Sequence, residues 1–226
     1  MNMTNTFSKF LSLSLFGYFG FFNITQVAAA PIELLGVAKD FVETGEDNSL
    51  IKDPSLFSLS ANGTFSTISE QTNIHAHYRA NGANKYKNYT YTGMMRILDD
   101  GGGVGVTFYS DYPKSDTYYR LRMYSGNQSF HIEPHPDGDY TLTGTLDTGV
   151  IPDVNLWQRF KIVVKSFKKR TTIKAKVWPK GTAEPSAWQV DCEDAGANRI
   201  KKGKPGVWSM GTGEKQWKKL KVNLSE

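Results

Sequence analysis

The feature that most constrains this chain is a series of short segments in which apolar and polar residues alternate every second position, bounded by Gly, Asn, Asp or Pro. The segments "TNIHAHYRA", "NYTYTGMMRIL", "GVGVTFYSD", "TYYRLRMYS", "QSFHIEP", "RFKIVVKSF", "TTIKAKVWP" and "KQWKKLKVNL", all after Gln71, are each a strand's length. None carries a convincing helical period. Many short strands in one chain with 21 Gly predict an all-β fold, a two-sheet antiparallel β-sandwich or jelly roll. No repeat of fixed period is visible, which argues against a propeller or solenoid. The patch "DDGGGVG", Asp99 to Gly105, reads as a hairpin turn. It lacks the Lys-Ser/Thr pair and the opening helix that a phosphate-cradling loop requires.

The amino-terminal part has a different character. Lys9 precedes a short apolar run, Leu11 to Phe22, which ends in "NITQVAAAPIE". A charged start, a short apolar stretch and a small-residue exit predict a secretory signal peptide over residues 1–29, with cleavage after Ala29, and one domain over 30–226. An uncleaved anchor is the alternative. Cleavage would leave no integral membrane span and would put the protein outside the cytoplasm, at the cell exterior or in the periplasm of a Gram-negative cell. The mature part carries 26 Lys+Arg (27 minus Lys9) against 22 Asp+Glu, a net of +4. That is too mild for a nucleic-acid partner, and "SFKKRTTIKAK" reads as a solvated strand face. Cys192 is the only cysteine, so no intramolecular disulfide and no cysteine zinc site can form, while a bridge between chains stays open.

Period two also sorts side chains by face. Tyr119, Leu121 and Met123 suit a core, and Tyr118, Arg120, Arg122 and Tyr124 point the other way. On the neighbouring segments His75, His77 and Arg79, then Thr107 and Tyr109, then His131 and Glu133, oppose their apolar neighbours. Pooled on one sheet face, His77, Arg79, Tyr109, Tyr118, Arg120, Arg122 and His131 are the candidate ligand-binding residues. Arginine offers a rigid fork of donors and tyrosine a flat ring with a polar tip, which suits a hydroxyl-rich or anionic polysaccharide. The competing expectation is a polar sheet face that merely meets water. His75 and His77, two apart, could also hold a transition metal, but no third ligand is evident.

The chain resembles the concanavalin A-like lectin/glucanase superfamily, in its laminin G-like jelly-roll branch. The resemblance is carried by "GGVGVTFYSD", "TYYRLRMYSG", "LWQRFKIVV", "IKAKVWPKGTAEPSAWQV" and "GKPGVWSMGTGEKQWKKLKV". It implies a carbohydrate-active protein and leaves the activity open. The catalytic glucanases of the superfamily place two carboxylates about 5 Å apart on one strand. No such strand is present here, and "DCED", Asp191 to Asp194, reads as solvated turn. Trp178, Trp188 and Trp208 read as plugs at the sandwich edge.

The expectation is therefore a non-catalytic, lectin-like glycan-binding domain. Two alternatives stand beside it. One is a polysaccharide lyase using His77 or His131 as base, Tyr118 as acid and an arginine as neutraliser of the uronate carboxylate. The lyase motifs of the best-known alginate-cleaving family are absent, so no role transfers by position. The other is a structural surface protein. No cofactor is required, and the superfamily's structural Ca²⁺ is compatible with Asp99, Asp100, Asp111, Asp116, Asp137 and Asp139 in loops.

Overall fold

The alternation is realised as two antiparallel sheets packed face to face in a computed structural model that describes residues 29–36, 41–44, 53–136 and 140–225. In chain order the strands are β1 Ile32–Glu33, β2 Phe41–Thr44, β3 Ser58–Leu59, β4 Phe65–Thr67 and β5 Ile74–Tyr78. They continue as β6 Tyr89–Ile97, β7 Gly102–Ser110, β8 Tyr118–Tyr124, β9 Asn127–His135 and β10 Leu142–Thr145. The last five are β11 Gln158–Ser166, β12 Thr171–Pro179, β13 Val190–Asp194, β14 Lys204–Gly211 and β15 Lys215–Leu224. One sheet has nine strands in the order β10, β13, β12, β11, β6, β15, β4, β3, with β1 also on β15. The other has six, in the order β2, β5, β14, β7, β8, β9. This is the expected all-β sandwich.

The core lies between the sheets. The nine-stranded sheet contributes Phe65, Tyr91, Phe160, Ile162, Val164 and Ile173, and the six-stranded sheet Ile74, Val106, Leu121, Ile132 and Val207. Burial of such side chains contributes roughly 1.5–3 kcal/mol each. Three buried polar ties cross this apolar layer. Trp217 Nε1 donates to Gly105 O at 2.9 Å, Tyr91 Oη to Gly206 O at 3.0 Å, and Tyr119 Oη to Asp194 Oδ2 at 2.6 Å. Each spans from one sheet to the other, so they set how the layers sit together.

Several local expectations are corrected. The "DCED" stretch is strand β13, and Asp194 is fully buried where turn and solvent were expected. Its apolar alternates Val190 and Cys192 face the core, which makes it an ordinary amphipathic strand. Burial, with Asp191 and Asp194 alongside, pushes the Cys192 thiol up to about 12, so it stays protonated and inert. The "DDGGGVG" patch is not a hairpin, because β6 and β7 lie in different sheets. Asp99 instead ties a turn that passes between layers, accepting from Gly101 N at 2.8 Å and Thr212 Oγ1 at 3.0 Å.

Tyr109 is also misassigned by simple alternation. The pairing of β14 with β7 breaks between Lys204 and Gly206, forming a β-bulge, and Tyr109 has φ of 54°. The bulge turns its ring into the core against Tyr89, 5.3 Å away, where its hydroxyl accepts from Asn88 N. Trp178 and Trp208 do not plug edges, since β12 and β14 are interior strands of their sheets. The expected signal peptide lies, but for Ala29, outside the described residues, as do Asp137 and Asp139.

Tyr119→Phe removes a donor from the buried Asp194 carboxylate and an acceptor from Ile200 N. It is expected to cost about 1–3 kcal/mol in urea-induced unfolding. An unchanged midpoint would show that this tie does not hold the layers.

Candidate functional site

The outer face of the six-stranded sheet gathers the polar alternates of five strands in two cross-strand rows. Pairing aligns His75, Trp208, Gly105, Arg122 and His131 in one row. It aligns His77, Gly206, Thr107, Arg120 and Glu133 in the other. Tyr118 faces His135 one step further on. Glycine is required at 206 because a Cβ there would sit 2.5 Å from Thr107 Oγ1 and 2.8 Å from His77 Nδ1. Those two atoms are themselves 3.1 Å apart, so the missing side chain makes room for their hydrogen bond.

One end of this face is closed. The loop between β7 and β8 folds back over it, with the Tyr112 ring 5.2 Å from both His75 and His77 and its carbonyl accepting from Lys204 Nζ. Asp116, from the same loop, lies between two imidazoles, with His75 Nε2 at 2.9 Å and His135 Nε2 at 3.2 Å. Burial would raise the Asp116 carboxyl, but hydrogen bonds from His135 and His75 outweigh it and hold the group well below the usual carboxylate range. Burial pushes His75 and His77 down, His77 further because His75 is its neighbour and no carboxylate bonds it.

The centre is organised by Asn73. Its Oδ1 accepts from Arg120 Nη1 at 2.7 Å and from Trp208 Nε1, and its Nδ2 is 3.4 Å from Tyr118 Oη. Arg120 and Arg122 lie over the Trp208 ring, at 5.7 and 4.8 Å from its centroid. Tyr118 stacks on His135 at 4.7 Å.

The other end is partly open. Glu133 Oε2 accepts from Arg122 Nε at 2.6 Å and from Arg122 Nη2, and Arg120 Nη2 and His131 Nε2 lie 3.6 and 3.5 Å from the same oxygen. Oε1 has no partner among the described residues, and 26% of the side chain is exposed. Burial opposes ionisation of Glu133, yet the His131 contact and the Arg122 and Arg120 charges bring it down to about 2. The half-exposed Tyr124 ring covers the Arg122 guanidinium at 4.6 Å.

The sequence allowed an open groove or a solvated face. The structure shows a buried polar layer instead, with Tyr118 at 0%, Arg120 at 3%, Arg122 at 7% and His131 at 8% exposure. His77, Tyr118, Arg120, Arg122 and His131 do share this face. Arg79 is exposed beyond the end of β5, and Tyr109 is in the core. Of the two bases considered for the lyase alternative, only His77 lies beside Tyr118. His77 and Tyr118 are 5.3 Å apart at the closed end, whereas His131 sits at the open end with its Nδ1 2.9 Å from Ser129 O. Asn73, Asp116, Trp208 and His135 were not among the candidate ligand-binding residues. Period two through "GVWSM" would have placed Trp208 beside Gly206, and its continuation past Glu133 would have found His135. No such signal exists for Asn73 or Asp116, which precede their strands. Among the described residues no three His, Cys, Asp or Glu side chains form a cluster able to hold a metal ion.

No protein-family model and no curated protein matches this chain. Solved structures do. The carbohydrate-binding module CBM66 from Bacillus subtilis is 14% identical with a TM-score of 0.53, over 80% of this chain and 94% of that one. A Bacillus subtilis protein of unknown function with a galectin-like fold is 11% identical with a TM-score of 0.55, over 88% and 97%. A putative beta-glucanase from Mycobacterium abscessus is 14% identical with a TM-score of 0.54, over 87% and 100%. At these identities the likeness is one of fold, a two-sheet jelly-roll β-sandwich.

The site predicts a pH dependence. His75 and His77 titrate in the folded protein below 6.5, their ordinary value, so as pH falls through 6.5 the unfolded chain takes up protons before the folded one does. Stability present above pH 6.5 should fall with acidification by up to about 1.4 kcal/mol per pH unit for each histidine. The depressed Asp116 and Glu133 add their loss only below about pH 4. Thermal unfolding from pH 7 to 5 should show this slope, and His77→Gln should flatten it. A flat profile for the unaltered protein would contradict the buried, neutral imidazoles.

Proposed function

We propose that the protein is a non-catalytic glycan-binding module that takes a hydroxyl-rich, anionic polysaccharide at the open end of the six-stranded sheet. The observation that carries this reading is Glu133. It is a half-exposed carboxylate with one oxygen saturated by Arg122, Arg120 and His131 and the other free to accept sugar hydroxyls. Arg122, fixed between Tyr124 and Trp208, spends Nε and Nη2 on Glu133 and leaves Nη1 as a donor to a ligand oxygen beside it. The Tyr124 ring offers a flat surface for a pyranose. The carbohydrate-binding module among the structures of like fold supports the assignment.

The carboxylates argue against hydrolysis. General acid catalysis of glycoside cleavage needs one of two carboxyl groups protonated near neutral pH. Glu133 and Asp116 are both held ionised by their partners. The apolar leader with its small-residue exit supports export, so we place the interaction outside the cytoplasm. Among the described residues no helix is long and apolar enough to cross a membrane.

The test is to titrate the protein with neutral and uronate-containing polysaccharides, following both retention in an affinity gel and absorbance of unsaturated sugar ends. Retention without absorbance, weakened about tenfold or more in Glu133→Gln and Tyr124→Ala, is the expected result. Absorbance that rises with time and is abolished in His77→Ala would make the protein a lyase and overturn the reading. Retention unchanged in Glu133→Gln would move the site elsewhere.

A further inference from the structure

The opposite face of the molecule holds a second feature of a different construction. On the outer side of the nine-stranded sheet, a cavity of about 300 Å³ opens between two cross-strand rows. Pairing aligns Trp178, Arg159, Met94 and Lys218 in one row, and Lys176, Lys161, Thr92 and Lys221 in the next. Between them the ladder of β15 on β6 breaks after Lys218 and resumes at Lys221, and the bulged Lys219 has φ of 53°. The bulge turns Leu220 into the core and leaves Lys219 exposed at the cavity.

The lining is chemically specific. Trp178 reaches the cavity with only its edge, since 8% of its surface is exposed. Arg159 and Lys219 are exposed, and neither has a hydrogen-bond or ion-pair partner among the described residues. Lys218 lies over the Trp157 ring, 5.6 Å from its centroid, and the remaining cations are paired with carboxylates. Lys161 and Lys176 both bond Glu184 Oε1, at 3.1 and 3.3 Å, and Lys221 lies 2.6 Å from Glu33 Oε1. Glu184 Oε2 stays free at the rim. Two unmatched cations, an aromatic edge and one free carboxylate oxygen therefore converge on a cavity at the lower end of the size range of small-molecule sites.

We propose that this cavity binds a single anionic sugar unit, a hexuronate or a sulfated hexose. Its ring abuts the exposed edge of Trp178, its anionic group is taken by Arg159 and Lys219, and a hydroxyl donates to Glu184 Oε2. Arginine and lysine beside an aromatic edge select an anion carried on a sugar ring over a free anion or a neutral sugar, because each element alone recognises only half of it. The site stands independently of Glu133, which is on the other sheet.

The experiment follows the Trp178 indole N–H and the Arg159 side-chain N–H by two-dimensional ¹⁵N NMR. The full chain is titrated with a hexuronate disaccharide, a sulfated disaccharide and a neutral disaccharide, with the indole assigned through Trp178→Phe. A saturable shift with one or both anionic sugars, at least tenfold weaker with the neutral one, is expected, and the two anionic arms identify which group is preferred. Arg159→Ala, at an exposed position, should weaken binding about tenfold or more. Lys219→Asn, which tolerates the left-handed backbone, should weaken it as well. Glu133→Gln should leave the Trp178 shift intact. No saturable shift with either anionic sugar, equal affinity for the neutral one, or unchanged affinity in Arg159→Ala would overturn the proposal.

Discussion

The polar side of the molecule depends on one buried oxygen, Asn73 Oδ1. It accepts from the Trp208 indole on β14 and from the Arg120 guanidinium on β8 at the same time, from a residue that sits just ahead of β5. Three elements that are apart in sequence are thereby joined at a point where none has backbone pairing to spare. A buried acceptor left unmade would cost about 1–3 kcal/mol, so this bond specifies the arrangement as well as stabilising it. With Trp208 pinned, both arginines have a flat surface to lie on. With Arg122 in place, Glu133 is held ionised at the edge of the layer.

The resulting layer is unusual for an antiparallel sheet, whose outer face commonly meets water. Here histidines, arginines and tyrosines are packed almost as tightly as the apolar core behind them. Pairing meets part of the cost, as in Asp116 between His75 and His135, while His75 Nδ1 and His77 Nε2 have no hydrogen-bond partner among the described residues. Exposure is confined to the end where Glu133 and Tyr124 stand. The site is thus rigid and pre-arranged, which suits recognition of a saccharide whose hydroxyls demand fixed partners.

Much of the fold was legible in the sequence because alternation with period two is a local property. The segments around His75, Tyr91, Leu121, Ile162 and Trp217 all became strands, and those around Leu121 and Ile162 turn the expected face inward. It failed where alternation itself is interrupted. The bulge at Tyr109 turned an outward position into a core one, and β13 was hidden because its polar alternates are acidic and its neighbours are turn formers. The face holding Tyr118, Arg120, Arg122 and His131 was foreseen, but its burial was not. Burial at the closed end comes from a loop, Asp111 to Thr117, whose path no strand pattern dictates. The cavity beside Trp178 was invisible for a similar reason, since it lies at the break at Lys219 in the pairing of β15 with β6.

The central claim is that Glu133 is a pre-ionised acceptor aimed at a ligand, and its own carboxyl carbon reports that directly. The ¹³C shift of Glu133, assigned by Glu133→Gln, would be recorded across acid pH and then at neutral pH with added uronate oligosaccharide. A carboxyl that stays ionised down to about pH 2, and a resonance that moves saturably with the sugar, is the outcome this account requires. Titration near the ordinary value of 4.5, together with no response to any saccharide, would contradict it.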